Sequence, residues 1–263
     1  MRKIFILLSI LLLSSCSKDD EKLSILNTSE VLLKKIQDFD NGSWQDDWVF
    51  YYDGKKILYI DSEFYRYDFY YNGDKIVRYT QKQKSTNNIY EDNIYNYDGN
   101  SRLIEYKCLN PQSNYASKHV YEYLNNGTVK DSRYTGNLVS QSSFSKSSIY
   151  TFQNSLLINQ KDESILGYNY EDIYEYSEVF NPMRNVTGID KIFVTSFGVL
   201  DEYFMFGTNH INKRTSKSFN GSTLTSTSGM NYNCLELKDN FPTEVKEVRF
   251  TGVENEHYKL IYN

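Results

Sequence analysis

Tyr51-Tyr52-Asp53-Gly54-Lys55-Lys56-Ile57 is a stretch that recurs along this chain of 263 residues. Clear copies read Tyr70-Tyr71-Asn72-Gly73-Asp74-Lys75-Ile76 and Tyr95-Asn96-Tyr97-Asp98-Gly99-Asn100-Ser101-Arg102-Leu103, with a looser copy at 121–129 and a degenerate one at 150–157. Asp-Gly and Asn-Gly supply the positive φ angles of a tight hairpin turn, and the flanking Tyr, Ile and Leu suit a pleated sheet. Each copy therefore predicts a strand, a turn and the start of the next strand.

The spacing of the copies predicts how the hairpins assemble. The turn glycines recur at intervals of about 20 to 28 residues, a repeat length at which each unit stacks on its neighbours because it cannot bury a face alone. Within a copy, as at 64–70, aromatic and polar residues alternate with period two, which places one set on each face of a sheet. We predict an all-β fold, a large twisted antiparallel meander of hairpin repeats.

A segment near residue 190 has a different pattern. Between 189 and 206 the apolar residues recur mostly at three- and four-residue spacings, which predicts one or two short helices that cap one face of the sheet. Asn181-Pro182, just before it, fits a turn or a helix start. We predict that 31–263 form a single β-hairpin-repeat domain.

The first residues are typical of an export signal. Arg2 and Lys3 precede an apolar run at 4–13, which is about half the length that a membrane-spanning helix needs. The tetrapeptide Leu13-Ser14-Ser15-Cys16 resembles a bacterial lipobox, which implies a signal peptide at 1–15 and a diacylglycerol-linked Cys16 at the start of the mature chain. An ordinary signal peptide with a coincidental cysteine is the alternative.

The residues after Cys16 indicate a destination. Ser17-Lys18-Asp19-Asp20-Glu21 resembles the acidic export tag of surface lipoproteins in Bacteroidetes, which implies an outer-membrane protein that faces the cell exterior. A charged tether that leaves the protein at the periplasmic face is the alternative. Residues 16–30 lack sustained periodicity, so we expect the lipidated cysteine and a flexible acidic tether there. Such an anchor, at about 0.8 kcal/mol per buried CH₂, needs no transmembrane helix.

The charge excludes nucleic acid as a partner. The chain has 29 Lys and Arg against 34 Asp and Glu, and no basic stretch offers a local phosphate-binding site. The 25 Tyr and 15 Phe favour strands over helices. Once Cys16 carries lipid, Cys108 and Cys234 remain, and they either form a disulfide or act as small hydrophobic residues.

The sequence carries no catalytic or metal-binding motif. His119, His210 and His257 lie far apart and lack the spacing of zinc ligands, and no Gly-x-Ser-x-Gly turn would expose a nucleophile. We therefore predict a non-enzymatic protein without a metal or a cofactor.

Adjacent acidic residues are also poor candidates for catalysis. Asp46-Asp47, Glu91-Asp92 and Glu171-Asp172 would point to opposite faces of a strand, so they cannot act as side-by-side carboxylates. We expect them to be edge or loop charges that discourage edge-to-edge pairing of the sheet.

Aromatic side chains are the candidate ligand-binding groups, since Tyr and Trp on an exposed sheet face can stack on sugar rings or anchor a partner protein. The candidates are Trp44, Trp48, Tyr65, Tyr67, Tyr95 and Tyr97. If their strand is regular, Trp44 and Trp48 share a face. The alternative is that all six form cross-strand pairs and core, at about 0.2–1 kcal/mol per pair.

The units Tyr-x-Tyr-Asp-Gly-x-x-x-Leu resemble the tyrosine-rich hairpin repeats of the YD or RHS class. The region 31–263 is also similar to a group of Bacteroidetes lipoproteins of unknown function, in which the repeats precede Tyr-x-x-x-x-Asn-Pro, Asn-x-Ile-x-Lys and Gly-Tyr-Pro-Thr-Lys elements. The matching stretches are Tyr176 to Pro182, Asn209-His210-Ile211-Asn212-Lys213 and Asn240-Phe241-Pro242-Thr243-Glu244. Glu244 in place of Lys reverses a charge, and the resemblance implies no activity, since that group has none established.

The sequence leaves three functions open. A non-catalytic surface lipoprotein would bind a glycan, peptide or protein through its sheet face and would show an exposed aromatic patch. A structural or assembly component of an envelope complex would bind partner proteins and no small ligand. A hydrolase ranks last, because it would need convergent polar groups in one pocket.

Overall fold

The computed structural model describes residues 30–164, 167–192 and 207–263. Over these ranges the chain forms an antiparallel barrel of 16 strands in which each strand pairs with its neighbours in sequence. Strands β1 to β16 are Leu33–Asp40, Ser43–Asp53, Lys56–Asp61, Tyr65–Asn72, Lys75–Gln83, Ile89–Tyr97, Leu103–Asn110, Tyr115–Tyr123, Thr128–Gly136, Gln141–Gln153, Leu156–Ser164, Tyr168–Phe180, Asn209–Asn220, Thr223–Lys238, Phe241–Arg249 and Glu254–Tyr262.

The hairpin meander closes on itself. Strand β1 pairs with β16, with Leu33 opposite Tyr262 and Ile36 opposite Leu260. The prediction of an all-β antiparallel meander is therefore confirmed in its class, and the closed barrel is its specific form. The prediction that the acidic pairs are edge or loop charges is wrong, because a closed barrel has no edge and the pairs lie within β2, β6 and β12.

The two ends of the barrel differ, and we call the one where β1 begins and β16 ends the entry end. There the Leu32 N–H donates to Asn263 Oδ1 at 2.8 Å. The connection from β12 to β13 also covers this end, burying Met183, Val186 and Ile192. The opposite end, which we call the far end, carries the hairpin turns that follow the odd-numbered strands.

The predicted helices are not seen in the described ranges, which contain no α-helix. Of the segment 189–206, the structure describes a single 3₁₀ turn at Ile189–Lys191, and 193–206 lie outside the described residues. The residues just before this turn cover the entry end of the barrel, where the Thr187 N–H donates to Lys55 O at 2.9 Å. Capping of a sheet face by helices at 189–206 stays a prediction.

Aromatic side chains fill the interior. Tyr67, Tyr79 and Tyr95 are at most 2% exposed, and Tyr95 stacks on Tyr106 with ring centroids 5.2 Å apart. Barrels with this many strands commonly enclose a water-filled channel, so large side chains are needed to make a dry core. The need to fill a wide barrel therefore accounts for much of the tyrosine content.

The outer wall is lined with ion pairs. Examples are Lys35–Asp46 at 2.6 Å, Arg78–Asp92 at 2.7 Å, Lys82–Asp68 at 2.8 Å, Lys213–Glu175 at 2.6 Å and Lys246–Glu254 at 2.8 Å. Single exposed apolar residues, such as Leu58 and Ile104, lie among these charges. This polarity is the reverse of that in outer-membrane barrels, which carry an apolar band outside and polar residues inside. No helix in the described ranges is long and apolar enough to cross a membrane.

Candidate functional site

A repeated tyrosine hydrogen bond joins successive hairpins near the entry end. The Tyr52 hydroxyl donates to Leu33 O at 2.7 Å, and the Tyr97 hydroxyl donates to Ile76 O at 2.6 Å. The same bond joins Tyr123 to Leu103 O at 3.1 Å, Tyr176 to Leu157 O at 2.7 Å and Tyr262 to Pro242 O at 2.8 Å. At the remaining early copy, the Tyr71 hydroxyl accepts from the Ile57 N–H at 3.0 Å. We call this row of contacts the tyrosine seam.

A cation lies over several of the seam tyrosines. Arg102 lies 4.5 Å from the centroid of Tyr123, and Lys75 lies 5.5 Å from that of Tyr97. Each cation directly precedes the Ile or Leu that begins the repeat's second strand, so it reaches the tyrosine of the next hairpin. Cation–π contacts of this kind contribute about 0.5–1 kcal/mol at exposed sites. The turn lysines and arginines of these repeats therefore stabilise the seam.

The seam is interrupted between the 121–129 copy and the degenerate copy at 150–157, where three features change together. Phe152 occupies the tyrosine position opposite Leu157 and has no hydroxyl to donate. Thr128 stands where the three clear copies have Lys56, Lys75 and Arg102. The β8–β9 pairing also lacks the register shift that the β4–β5 and β6–β7 hairpins have beside their tyrosines.

A cavity of about 610 Å³ lies at this interruption. Its wall side is formed by Tyr123, Gly127, Val129, Phe152, Ser155 and Leu157, and its other side by Arg184, Ile189, Asp190, Gly207 and Thr208. Its volume is within the range of small-molecule sites, which are mostly apolar with a few polar groups. We therefore take this cavity, which we call the seam cavity, as the candidate functional site.

Two charged side chains, Arg184 and Asp190, border the seam cavity, and they do not form an ion pair with each other. Asp190 is paired with Lys191 at 2.6 Å. The Arg184 guanidinium lies 3.8 Å from the centroid of the Phe180 ring, and in the described ranges no acidic side chain forms an ion pair with it. Burial lowers the pKa of Arg184 from its ordinary value, yet an arginine stays charged in proteins. The cavity therefore holds a positive charge that its own walls leave uncompensated.

The two predicted tryptophans do not share a face. Trp48 lies opposite Ile36 but Asp46 lies opposite Gln37, so the register shifts at this point. Trp48 consequently turns inward to Tyr67, with ring centroids 5.4 Å apart. Trp44 stays on the outer wall, 4.8 Å from His257. The predicted shared face required a regular β2 strand. One extra residue in β2 reverses the alternation of its side chains between the two faces, so the prediction is wrong.

The predicted tyrosines lie inside the barrel. Tyr67 and Tyr95 are 2% and 1% exposed, Tyr65 packs against Tyr67 with centroids 6.4 Å apart, and Tyr97 belongs to the seam. These positions match the alternative of core and cross-strand pairs, while ligand binding by the six aromatic residues stays a prediction. The sequence analysis did not identify Phe152 and Arg184 as cavity residues. The departure of the 150–157 copy from the repeat could have indicated Phe152.

A cysteine and a histidine meet near the entry end without forming an activated nucleophile. Cys234 Sγ lies 3.1 Å from His210 Nε2. Burial raises the pKa of Cys234 to about 12 and lowers the pKa of His210 to about 4. Both groups are therefore neutral near pH 7, whereas a catalytic pair needs a thiolate.

Cys108 and Cys234 are both free thiols. Of the two roles considered for them, a disulfide or two small hydrophobic residues, the structure has the second. Within the described residues, no cluster of His, Cys, Asp and Glu could hold a metal ion.

We expect His210 to make the fold sensitive to mild acid. Its folded pKa of about 4 lies below the ordinary 6.5, so the unfolded chain binds more protons between these values and stability falls as the pH drops. The expected loss from pH 7 to pH 5 is about 2 kcal/mol. Urea unfolding at both pH values should show a smaller loss for His210→Gln than for the wild type. Equal losses would assign the acid sensitivity to other groups.

No protein-family profile and no curated protein matches this chain, whereas some solved structures do. A porin-like protein from Bacteroides vulgatus ATCC 8482 is similar in structure, with a TM-score of 0.57 and 16% identity over 89% of this chain and 99% of that one. A porin-like protein from Bacteroides uniformis ATCC 8492 has a TM-score of 0.49 and 8% identity over 88% and 96%. TcdB2-TccC3 without its hypervariable C-terminal region has a TM-score of 0.31 and 10% identity over 81% and 15%. The first similarity shows a shared barrel fold.

Proposed function

We propose that this protein is a non-catalytic lipoprotein of the outer membrane, anchored through Cys16, that binds a small ligand in the seam cavity. The charged outer wall supports attachment by lipid, because the ion pairs of the wall would lose hydration in a bilayer. The acidic residues at 17–21 support display at the cell surface, as their resemblance to an export tag implies.

The observation that carries the binding function is the coincidence of the cavity with the interrupted seam. An empty apolar cavity destabilises a fold by about 24 cal/mol per Å³ in a well-packed core. The same fold closes the corresponding position at Tyr97 with a hydroxyl and a lysine. At the interruption, apolar side chains such as Leu157 and Val129 instead border a partly open cavity, which is the expectation for a site that a ligand fills.

The seam cavity lies at the end of the barrel that the proposed tether joins. The chain enters the barrel at the end where Ile189 and Thr208 border the cavity. The tether at 17–29 spans at most about 45 Å when fully extended. The proposed anchor is therefore attached on the side of the barrel that holds the cavity.

A matched pair of variants tests the binding site. N-phenyl-1-naphthylamine is an apolar, neutral probe whose fluorescence rises on entering a dry site. We expect saturable binding to the wild type and an affinity about tenfold lower in Phe152→Trp, because the larger ring fills the cavity. The control is Phe144→Trp, a change on the same strand at a side chain that is 44% exposed.

Circular dichroism melting of all three proteins checks that they are folded. Absence of saturable binding, or an equal effect of the two variants, would contradict the seam cavity as the site.

A second candidate function is a structural or assembly role in an envelope complex. Exposed apolar residues at the far end favour it, since Phe64 is 63% and Val253 is 58% exposed on hairpin turns there. Such side chains at the end away from the anchor suit contact with a partner protein. This function becomes the better account if the seam cavity takes no probe.

A further inference from the structure

We propose that the seam cavity selects an amphipathic monoanion, whose apolar body packs on the cavity wall and whose acidic group binds Arg184. This inference rests on the proposed binding function and adds the chemical class of the ligand. The acidic group is a carboxylate, or a sulfonate or phosphate ester of the same charge, because each offers the oxygen pair that a guanidinium recognises.

The apolar part of the ligand follows from the wall. Phe152 and Leu157 come from the β10–β11 hairpin, Val129 from β9 and Ile189 from the crossover. Val129, Leu157 and Ile189 are at most 5% exposed. A ligand body in this space would exchange water for contacts with buried hydrocarbon, which favours binding in proportion to the apolar surface removed from water.

The acidic part follows from Arg184. Its guanidinium is half-buried between the Phe180 ring and the cavity and has no ion-pair partner in the described ranges. A partly desolvated charge without a partner is unfavourable, so an acid that enters the cavity gains more from Arg184 than it would from a solvated arginine.

The number of charges follows from Asp190. This carboxylate also borders the cavity, and Lys191 pairs with it at 2.6 Å. One ligand acid would therefore meet the uncompensated Arg184, whereas a second acid would meet the oxygen atoms of Asp190. Like charges repel, although water screens the repulsion at a carboxylate as exposed as Asp190. The seam cavity consequently favours one negative charge over two.

Two probes of nearly equal shape separate charge from apolar contact. 8-Anilinonaphthalene-1-sulfonate carries one negative charge, and N-phenyl-1-naphthylamine has the same aromatic skeleton without it. We expect the wild type to prefer the sulfonate by about tenfold, the value of one charge-assisted contact. Arg184→Gln should remove this preference and leave binding of the neutral probe within about twofold, while Arg184→Lys should keep part of it.

Lys246→Gln is the matched control, since it removes a positive charge from an ion pair with Glu254 on the outer wall that does not border the cavity. It should leave the preference for the sulfonate in place. If the wild type binds the two probes with equal affinity, the proposal that the cavity selects an anion is wrong, and this result needs no variant. An unchanged preference in folded Arg184→Gln would overturn the role of Arg184. Failure of the neutral probe to bind the wild type would instead contradict the seam cavity as a binding site.

Discussion

Replacement of Cys16 by alanine is expected to move the protein completely from the membrane fraction to the soluble fraction. On the proposed anchoring, Cys16 is the site of the acyl chains, and stable attachment needs more than one such chain at about 0.8 kcal/mol per buried CH₂. The outer wall offers no substitute, because ion pairs such as Lys35–Asp46 and Arg78–Asp92 line it. Cell fractionation followed by immunoblotting measures the distribution.

Cys108→Ala is the matched control for this experiment, because it removes a half-buried thiol of the barrel and leaves Cys16 in place. That variant should stay with the membrane. Retention in the membrane fraction of a Cys16→Ala protein from which residues 1–15 have been removed, as its mobility on the blot reports, would show that the barrel itself holds the protein there. Protease treatment of intact cells carrying the wild type separates display at the cell surface from a position at the periplasmic face, since only a surface protein is accessible.

The strands and turns of this fold could be predicted from the sequence because they depend on local chemistry. Gly54 and Gly73 adopt φ of 58° and 59° at the turns that Asp-Gly and Asn-Gly indicate. The closure could not be predicted in the same way. Leu33 pairs with Tyr262 across nearly the whole chain, and a period-two pattern specifies which face is buried but not whether two distant edges meet.

The candidate site shows a different limit. The shared face of Trp44 and Trp48 was inferred from regular alternation, and one register shift between Trp48 and Asp46 reverses it. The seam cavity depends on what two neighbouring copies lack, namely a cation at Thr128 in the 121–129 copy and a hydroxyl at Phe152 in the 150–157 copy. Their consequence can be inferred only from the structure, in which the tyrosine of the other copies donates a hydrogen bond to the preceding hairpin.

Asp131→Ala is expected to lower the free energy of unfolding by about 3 kcal/mol. The Asp131 side chain is 2% exposed. Its Oδ2 lies 2.8 Å from His119 Nδ1 and accepts from the Tyr150 hydroxyl at 3.2 Å. Alanine removes both contacts at once, and each buried polar group that loses its partner costs about 1–3 kcal/mol. Urea unfolding, followed by tyrosine fluorescence and by circular dichroism, measures the change.

Ser132→Ala is the matched control, since Ser132 is the next residue of β9 and lies opposite Val120, whose side chain is 38% exposed on the outer wall. Its effect should stay within about 0.5 kcal/mol. The free energy of unfolding of Asp131→Asn should lie between those of the two alanine variants. The amide keeps one acceptor oxygen for Tyr150 or His119, but it loses the charge. A loss below about 1 kcal/mol in Asp131→Ala would mean that water replaces the carboxylate, and therefore that the interior is more accessible than its aromatic filling implies.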